Sequence, residues 1–280
     1  MKLLVFAGTS EGTDFTERAL SAGHFVTVSL ATDYGSELLT RHLLALSDRP
    51  SPACKLPEKL HILQGRLAME EIASLAPHFD AIVDATHPYA TEVTKNLLAA
   101  SSASFVPYYR LLRPLQTVET KNLHEFESIS SLVDALSKTK GAIFLSTGSR
   151  DLAAFTSLPD YQNRLFVRVL PSADSLEKCR DAGIPSSHII AMQGKFSTEL
   201  NRALFAEYNC RLLVTKESGA AGGFSEKIAA AEALDMEIYA LKSPVEQDTV
   251  NCYSSADLLL GALEEMTLYD TLADFIRAED

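Results

Sequence analysis

Residues able to do chemistry gather in one stretch, Phe79-Asp80-Ala81-Ile82-Val83-Asp84-Ala85-Thr86-His87-Pro88-Tyr89. Ala81-Ile82-Val83 is a short apolar run of the kind that forms a buried central strand of a parallel sheet. Asp84, Thr86 and His87 arrive where that strand must end, and Pro88 suits the first turn of a following helix. In an open α/β sheet, ligands lie beyond the carboxyl ends of the strands, so a histidine there faces the ligand crevice. His87 is therefore the candidate catalytic residue, with Asp84 three positions earlier able to orient its ring. The bland alternative is a buried turn in which Asp84 and Thr86 only tie backbone donors.

A second stretch, Gly8-Thr9-Ser10-Glu11-Gly12, lies between an apolar run at 3–7 and a helical pattern at 13–22. Strand, glycine turn and helix in that order aim backbone N–H groups at a phosphate. The full Gly-x-Gly-x-x-Gly fingerprint is absent, because Ser10 stands where its middle glycine would be. The Thr9 and Ser10 hydroxyls are candidate anion donors instead, and a plain tight turn is the competing reading. Asp33, 21 positions after Gly12, falls near where an acid meets an adenosine ribose, although Thr32-Asp33-Tyr34-Gly35 also reads as a loop with an Asx turn.

The elements that must position these residues alternate. Strands are predicted at 3–7, 25–30, 60–63, 81–83 and 105–109, with helical spacing at 13–22 and 93–100 and a Pro/Ser-rich loop at 47–58. The scheme restarts after a polar link near 117–122 and a helix at 129–136. Strands follow at 142–146, 165–170, 189–192, 212–214 and 237–241, with helices at 176–182, 200–205 and 226–234. Corresponding elements lie about 130–140 positions apart, one domain's length. Gln64-Gly65-Arg66-Leu67 and Gln193-Gly194-Lys195-Phe196 share one order after the third strand of each half. The expected fold is α/β: two Rossmann-like doubly wound domains with mostly parallel sheets, residues 1–115 and 116–280, and a ligand cleft between them. Residues 256–276 are expected to be an acidic helical segment packed on the outside.

The 280 residues carry 25 basic and 37 acidic side chains, net −12, which argues against nucleic-acid binding. Residues 245–280 hold nine acids against Arg277 alone, a net −8, which leaves −4 for residues 1–244 and room for a local basic pocket. Cys54, Cys179, Cys210 and Cys252 form no metal-ligand spacing and are expected to be free thiols. No secretory signal or membrane-length apolar run is present, so the expectation is a soluble cytoplasmic protein, monomeric or weakly homo-oligomeric.

Together the motifs Gly8-Thr9-Ser10-Glu11-Gly12, Asp84-Ala85-Thr86-His87-Pro88-Tyr89-Ala90, Ser146-Thr147-Gly148-Ser149-Arg150-Asp151-Leu152 and Lys216-Glu217-Ser218-Gly219 closely resemble the precorrin-6A reductases of cobalamin biosynthesis. Thr32-Asp33-Tyr34-Gly35 and Ala191-Met192-Gln193-Gly194 look more like the cobalt-precorrin-6A branch; the tail after about Thr267 is not matched. The resemblance implies reduction of one ring double bond of a corrin precursor by NADPH or NADH, with no flavin and no metal of the protein's own. It places the nicotinamide cofactor in the first half, at Gly8, Thr9, Ser10, Glu11, Gly12, Asp33 and Thr86, and the macrocycle's carboxylates largely on the second. Candidate substrate contacts are Arg66, Tyr89, Thr147, Gly148, Ser149, Arg150, Lys195, Lys216, Ser218 and Gly219, with Arg110 and Arg113 as further cations near strand ends. Hydride transfer leaves a proton to be delivered, for which His87 or water are candidates. Asp33 leans toward NADH and the resemblance toward NADPH. Two other classes fit the same pattern less closely: a two-domain tetrapyrrole methyltransferase using S-adenosylmethionine, and a non-catalytic dinucleotide sensor.

Overall fold

A computed structural model describes residues 1–45, 56–112, 120, 122–217, 223–244 and 251–266. The first strands are β1 (Lys2–Phe6), β2 (Phe25–Leu30), β3 (Leu60–Gln64), β4 (Ala81–Asp84) and β5 (Tyr108–Leu111). They are followed by β6 (Leu123–Phe126), β7 (Ala142–Leu145), β8 (Leu165–Val169), β9 (Ile189–Ala191), β10 (Cys210–Lys216), β11 (Glu237–Leu241) and β12 (Cys252–Tyr253). Two six-stranded sheets result, ordered β3-β2-β1-β4-β5-β12 and β9-β8-β7-β10-β11-β6. All their pairings are parallel. The first is the dinucleotide-fold order 3-2-1-4-5-6, and the second repeats it with β6 in the last place.

Parallel strands need both faces covered, and the sequence supplies apolar residues at consecutive positions to do so. Leu3 and Val5 point into one core with Phe15, Ala19, Val28 and Val83. Leu4 and Phe6 point into the other with Ile72, Ile82 and Leu97. The helix Ser10–Ser21 buries Gly12, Phe15, Thr16 and Ala19, the stripe a 3.6-residue period predicts. In the second sheet Phe144 and Leu213 pack under Phe205, Phe224 and Ile228 from the helices Thr198–Glu207 and Phe224–Glu232.

The chain divides into two compact units, Met1–Pro114 with Val245–Asp280 and Leu115–Pro244, so what differs from the expected halves is the place of the C-terminal segment. The C-terminal segment leaves the second half because β12 pairs with β5, Cys252 against Arg110 and Tyr253 against Leu111. The helical residues 256–266 then bury Ala256, Leu259 and Leu263 in the core that holds Leu3 and Val5. Asp257 pairs with Arg18 at 2.7 Å. The rest of the acidic segment, from residue 267, lies outside the described residues, as does most of the loop expected at 47–58.

Three local expectations are corrected. Phe105 does not open a strand: it ends the helix Thr91–Ser104 in a left-handed conformation (φ 57°), its ring 93% exposed. Thr32–Gly35 is not an Asx-turn loop, since Thr32 caps a helix, Asp33–Ala45, through its hydroxyl and the Gly35 N–H at 3.1 Å. Pro88 precedes the helix Thr91–Ser104 by a turn, in which His87 C=O accepts from Ala90 N–H at 2.8 Å. Proline at the second position of such a turn fixes φ, which is what it does here.

Leu259 is fully buried, whereas its neighbour Leu258 is 58% exposed. Leu259→Ala is expected to cost about 2–5 kcal/mol in urea unfolding, and Leu258→Ala under about 0.5 kcal/mol. Equal effects would contradict the packing of this segment on the first sheet.

Candidate active site

β1 and β4 are neighbours at the centre of the first sheet, and the chain leaves them toward opposite edges. That reversal opens a crevice at their carboxyl ends. It brings Gly8–Gly12 beside Asp84–Tyr89: the Thr9 hydroxyl donates to Ala85 C=O at 2.9 Å and accepts from Gly12 N–H at 3.1 Å. Thr9 is thus the helix N-cap and is spent on the protein rather than offered to an anion. Ser10 likewise donates to the Glu11 carboxylate at 3.0 Å.

The glycines do the rest. A Cβ on Gly12 would lie 2.9 Å from Ala7 Cβ and 3.2 Å from Ala85 Cβ, so any side chain would lift the helix off both strands. Gly8 holds φ +149° and has nothing within 4 Å of its Cβ direction. The cradle it leaves is open, at the N-terminus of a 12-residue helix whose first-turn N–H groups favour an anion. These residues fit a dinucleotide pyrophosphate. Asp33 is exposed three residues beyond the end of β2, in the first turn of its helix.

Asp84 is fully buried and serves as a hub. Its Oδ1 accepts from Thr86 N–H (3.0 Å), the Thr86 hydroxyl (2.7 Å) and Arg110; its Oδ2 accepts from the hydroxyls of Thr94 (2.7 Å) and Tyr108 (3.0 Å). Arg110 is also fully buried and donates further to Asp84 C=O at 3.1 Å. Arg110 is therefore no exposed cation for a ligand, and Asp84 does not orient His87. Thr86 is buried with its hydroxyl on Asp84.

His87 is exposed at the crevice, its Nδ1 accepting from Tyr89 N–H at 3.3 Å and its ring 5.6 Å from the Tyr89 ring. An acceptor role for Nδ1 leaves the proton of the neutral ring on Nε2. The turn, rather than a carboxylate, sets the orientation.

The remaining predicted contacts scatter over strand ends. Arg66 is exposed after β3. In the second unit the loop after β7 holds Thr147, buried with no partner for its hydroxyl among the described residues, then Gly148, Ser149 bonded to Ser175 at 3.2 Å, and exposed Arg150. Lys216 pairs with Asp151 at 2.7 Å and Lys195 with Glu226 at 3.0 Å. Ser218, Gly219 and Arg113 lie outside the described residues. Sequence reasoning missed Thr94 and Tyr108; the available signal was polar groups on two adjacent strands and the helix between them that must otherwise be buried unpaired.

Removing one partner of the hub leaves an uncompensated buried charge. Arg110→Met is expected to cost about 3–5 kcal/mol in urea unfolding; a loss under about 1 kcal/mol would mean that Asp84 is held by its hydroxyl donors alone.

The family model of precorrin-6x reductase CbiJ/CobK matches residues 2–263. A cobalt-precorrin-6A reductase of Priestia megaterium is 33% identical over 270 residues, 95% of this chain and 99% of the relative. One from Methanothermobacter thermautotrophicus is 33% identical over 250 residues, 87% and 77% of the two chains. The solved structure of CobK precorrin-6A reductase superposes with a TM-score of 0.72 at 18% identity, covering 95% of this chain and 96% of that one, which shows a common two-domain fold. With the family model matching residues 2–263 and a relative 33% identical over 95% of this chain and 99% of its own length, this protein belongs to the precorrin-6x reductase CbiJ/CobK family.

Proposed function

We propose that this chain reduces one ring double bond of cobalt-precorrin-6A to give cobalt-precorrin-6B, with a nicotinamide dinucleotide as hydride donor. The carrying observation is the open Gly8 cradle on a long helix at the switch point, beside His87, in a chain of this family. The cobalt branch is favoured because relatives 33% identical over 95% and 87% of the chain bear that name, whereas a Rhodococcus erythropolis precorrin-6A reductase matches at 30% over 66%.

Within this reading the Gly8–Gly12 turn holds the pyrophosphate, and Asp33 meets the adenosine ribose. Bound there, the dinucleotide supplies the hydride; the protein binds, orients and keeps the site in register. Exposed Arg66 and Arg150, with Ser149 next to Arg150 and Tyr89 next to the His87 turn, are the substrate contacts of this reading. Lys216, already on Asp151, exchanges that acid for a substrate carboxylate, and exposed Lys195 meets one while keeping Glu226. His87 presents Nε2–H to the ligand as a positioning donor, its Nδ1 being taken up by the Tyr89 N–H, while the Asp84 carboxylate is spent on Arg110 and three hydroxyls. The methyltransferase and sensor readings lose support with family membership.

Anaerobic incubation of the protein with cobalt-precorrin-6A or precorrin-6A, each with NADH and NADPH, tests the reaction by following nicotinamide and macrocycle absorbance together. Coupled changes are expected. Methyl transfer without nicotinamide consumption, or binding without turnover, would overturn it. Gly8→Val is expected to raise the nicotinamide KM at least tenfold in a folded protein. His87→Ala is expected to lower kcat/KM roughly 5–150-fold, with His87→Asn retaining most activity. Losses beyond about 10³-fold in both would instead make His87 the proton donor.

A further inference from the structure

One cluster in the second unit is used by none of this. Arg168 is the fourth residue of β8, on the same strand face as Phe166, and its guanidinium lies over Phe144 (5.4 Å) and Phe196 (4.9 Å). Its Nη1 donates to Asn201 Oδ1 at 2.8 Å. Lys227, on the first turns of the helix Phe224–Glu232, is 5% exposed and close enough to Arg168 for the two charges to repel. Burial, with that repulsion, lowers the Lys227 ammonium to about 7, and burial lowers Arg168 to about 10.

Neither cation has a carboxylate within 4.0 Å among the described residues, and Lys227 Nζ makes no hydrogen bond there. The one acid acting on Lys227, Glu226, is held by Lys195 at 3.0 Å. Lys195 and Lys227 thus share one acid, and Arg168 lies over Phe144 and Phe196. A buried lysine beside a half-buried arginine, with one shared acid between the lysine and Lys195, is costly to hold charged. The cluster sits toward the carboxyl end of β8, in the loop after β9 and at the start of the helix after β10: the end of a doubly wound sheet where ligands bind.

We infer that Arg168 and Lys227 form a subsite for one carboxylate of the substrate, with Asn201 and the two phenylalanine rings holding the guanidinium in place. The assignment to a substrate carboxylate rests on the proposed reductase function; the anion site itself rests on the cluster. Arg168 offers a planar fork and Lys227 a point charge, so a compact oxyanion completes both. Binding would restore the ammonium and remove the repulsion.

The test combines two readouts. Lys227 side-chain resonances, assigned by their loss in Lys227→Met, are titrated with pH at constant ionic strength, alone and with sodium propionate or inorganic phosphate. Propionate is expected to raise the Lys227 midpoint by more than one pH unit. In turnover assays Lys227→Met is expected to raise the cobalt-precorrin-6A KM at least tenfold, leave the nicotinamide KM within twofold, and be rescued in part by Lys227→Arg. No propionate shift overturns the subsite, even where turnover fails and the reductase reading fails with it. A phosphate shift alone, with the nicotinamide KM raised, overturns the carboxylate assignment in favour of a nucleotide phosphate. An unchanged substrate KM in an active enzyme overturns it outright. Folding is checked independently. The unfolded chain takes up the lysine proton as pH falls through about 10.5, the folded chain only near 7, so this lysine lowers stability progressively over that window. Lys227→Met is therefore expected to raise Tm at pH 7.

Discussion

One buried carboxylate holds the first unit's crevice together. Asp84 ends β4 and fixes, through its two oxygens, the loop after it (Thr86), the next helix (Thr94) and the next strand (Tyr108 and Arg110). Arg110 in turn lies in register with Cys252, so the pair stands beside the strand that returns from the chain's end. Stripping a carboxylate and a guanidinium of water costs several kcal/mol each. The arrangement survives because each Asp84 oxygen is met by multiple donors, and a satisfied network is stronger than its pairs taken singly. Its consequence is positional. The Thr86–Tyr89 turn leaves a fixed strand end, and His87 stands on that turn.

The two units show how one topology serves different ends. β1 and β7 hold the same central place, and each is followed by a small polar loop, Gly8-Thr9-Ser10 and Thr147-Gly148-Ser149. The first loop leads into a 12-residue helix with an open cradle at its start; the second leads into a four-residue helix, Leu152–Phe155. Only the first has the aligned peptide dipoles and long N-terminal turn that favour a pyrophosphate. The units also complete their sheets from opposite directions in the chain, the first with β12 after the second unit, the second with β6 before its own β7.

Much of this was legible in the sequence where burial writes itself into composition. The β2 and β11 limits match the apolar runs at 25–30 and 237–241, and the two motifs singled out as chemical do meet at the switch point. β3 and β9, preceding the repeated Gln-Gly-basic-apolar pattern, occupy the same edge of the two sheets. What escaped was short or polar. β12 is two residues long and β6 reads Leu-His-Glu-Phe, so neither carries a periodic signal, and without β12 the return of the C-terminal segment to the first unit was not legible. Helix Asp33–Ala45 buries only Ser36 and Leu39, too sparse a stripe to announce itself. The partners of Asp84 are separated from it by up to 26 positions, and side-chain pairing across strands has no local signature.

The same separation hides the contrast between buried Arg110 and half-buried Arg168. Arg110 and Arg168 both lie on strands near the carboxyl end of a parallel sheet. In the first unit a facing aspartate neutralises the guanidinium, and the Asp84 carbonyl and the Thr86 hydroxyl also accept from it, so the charge does structural service and is removed from chemistry. In the second, two aromatic faces and one amide hold Arg168, Lys227 adds a second positive charge, and Glu226 is drawn off to Lys195. Aromatic faces compensate a cation by about 0.5–2 kcal/mol, well short of what a buried carboxylate provides. The second unit therefore holds an excess of positive charge that Lys227 relieves by giving up its proton near pH 7, or that an anion from outside would offset, whereas the Asp84–Arg110 pair of the first unit holds none.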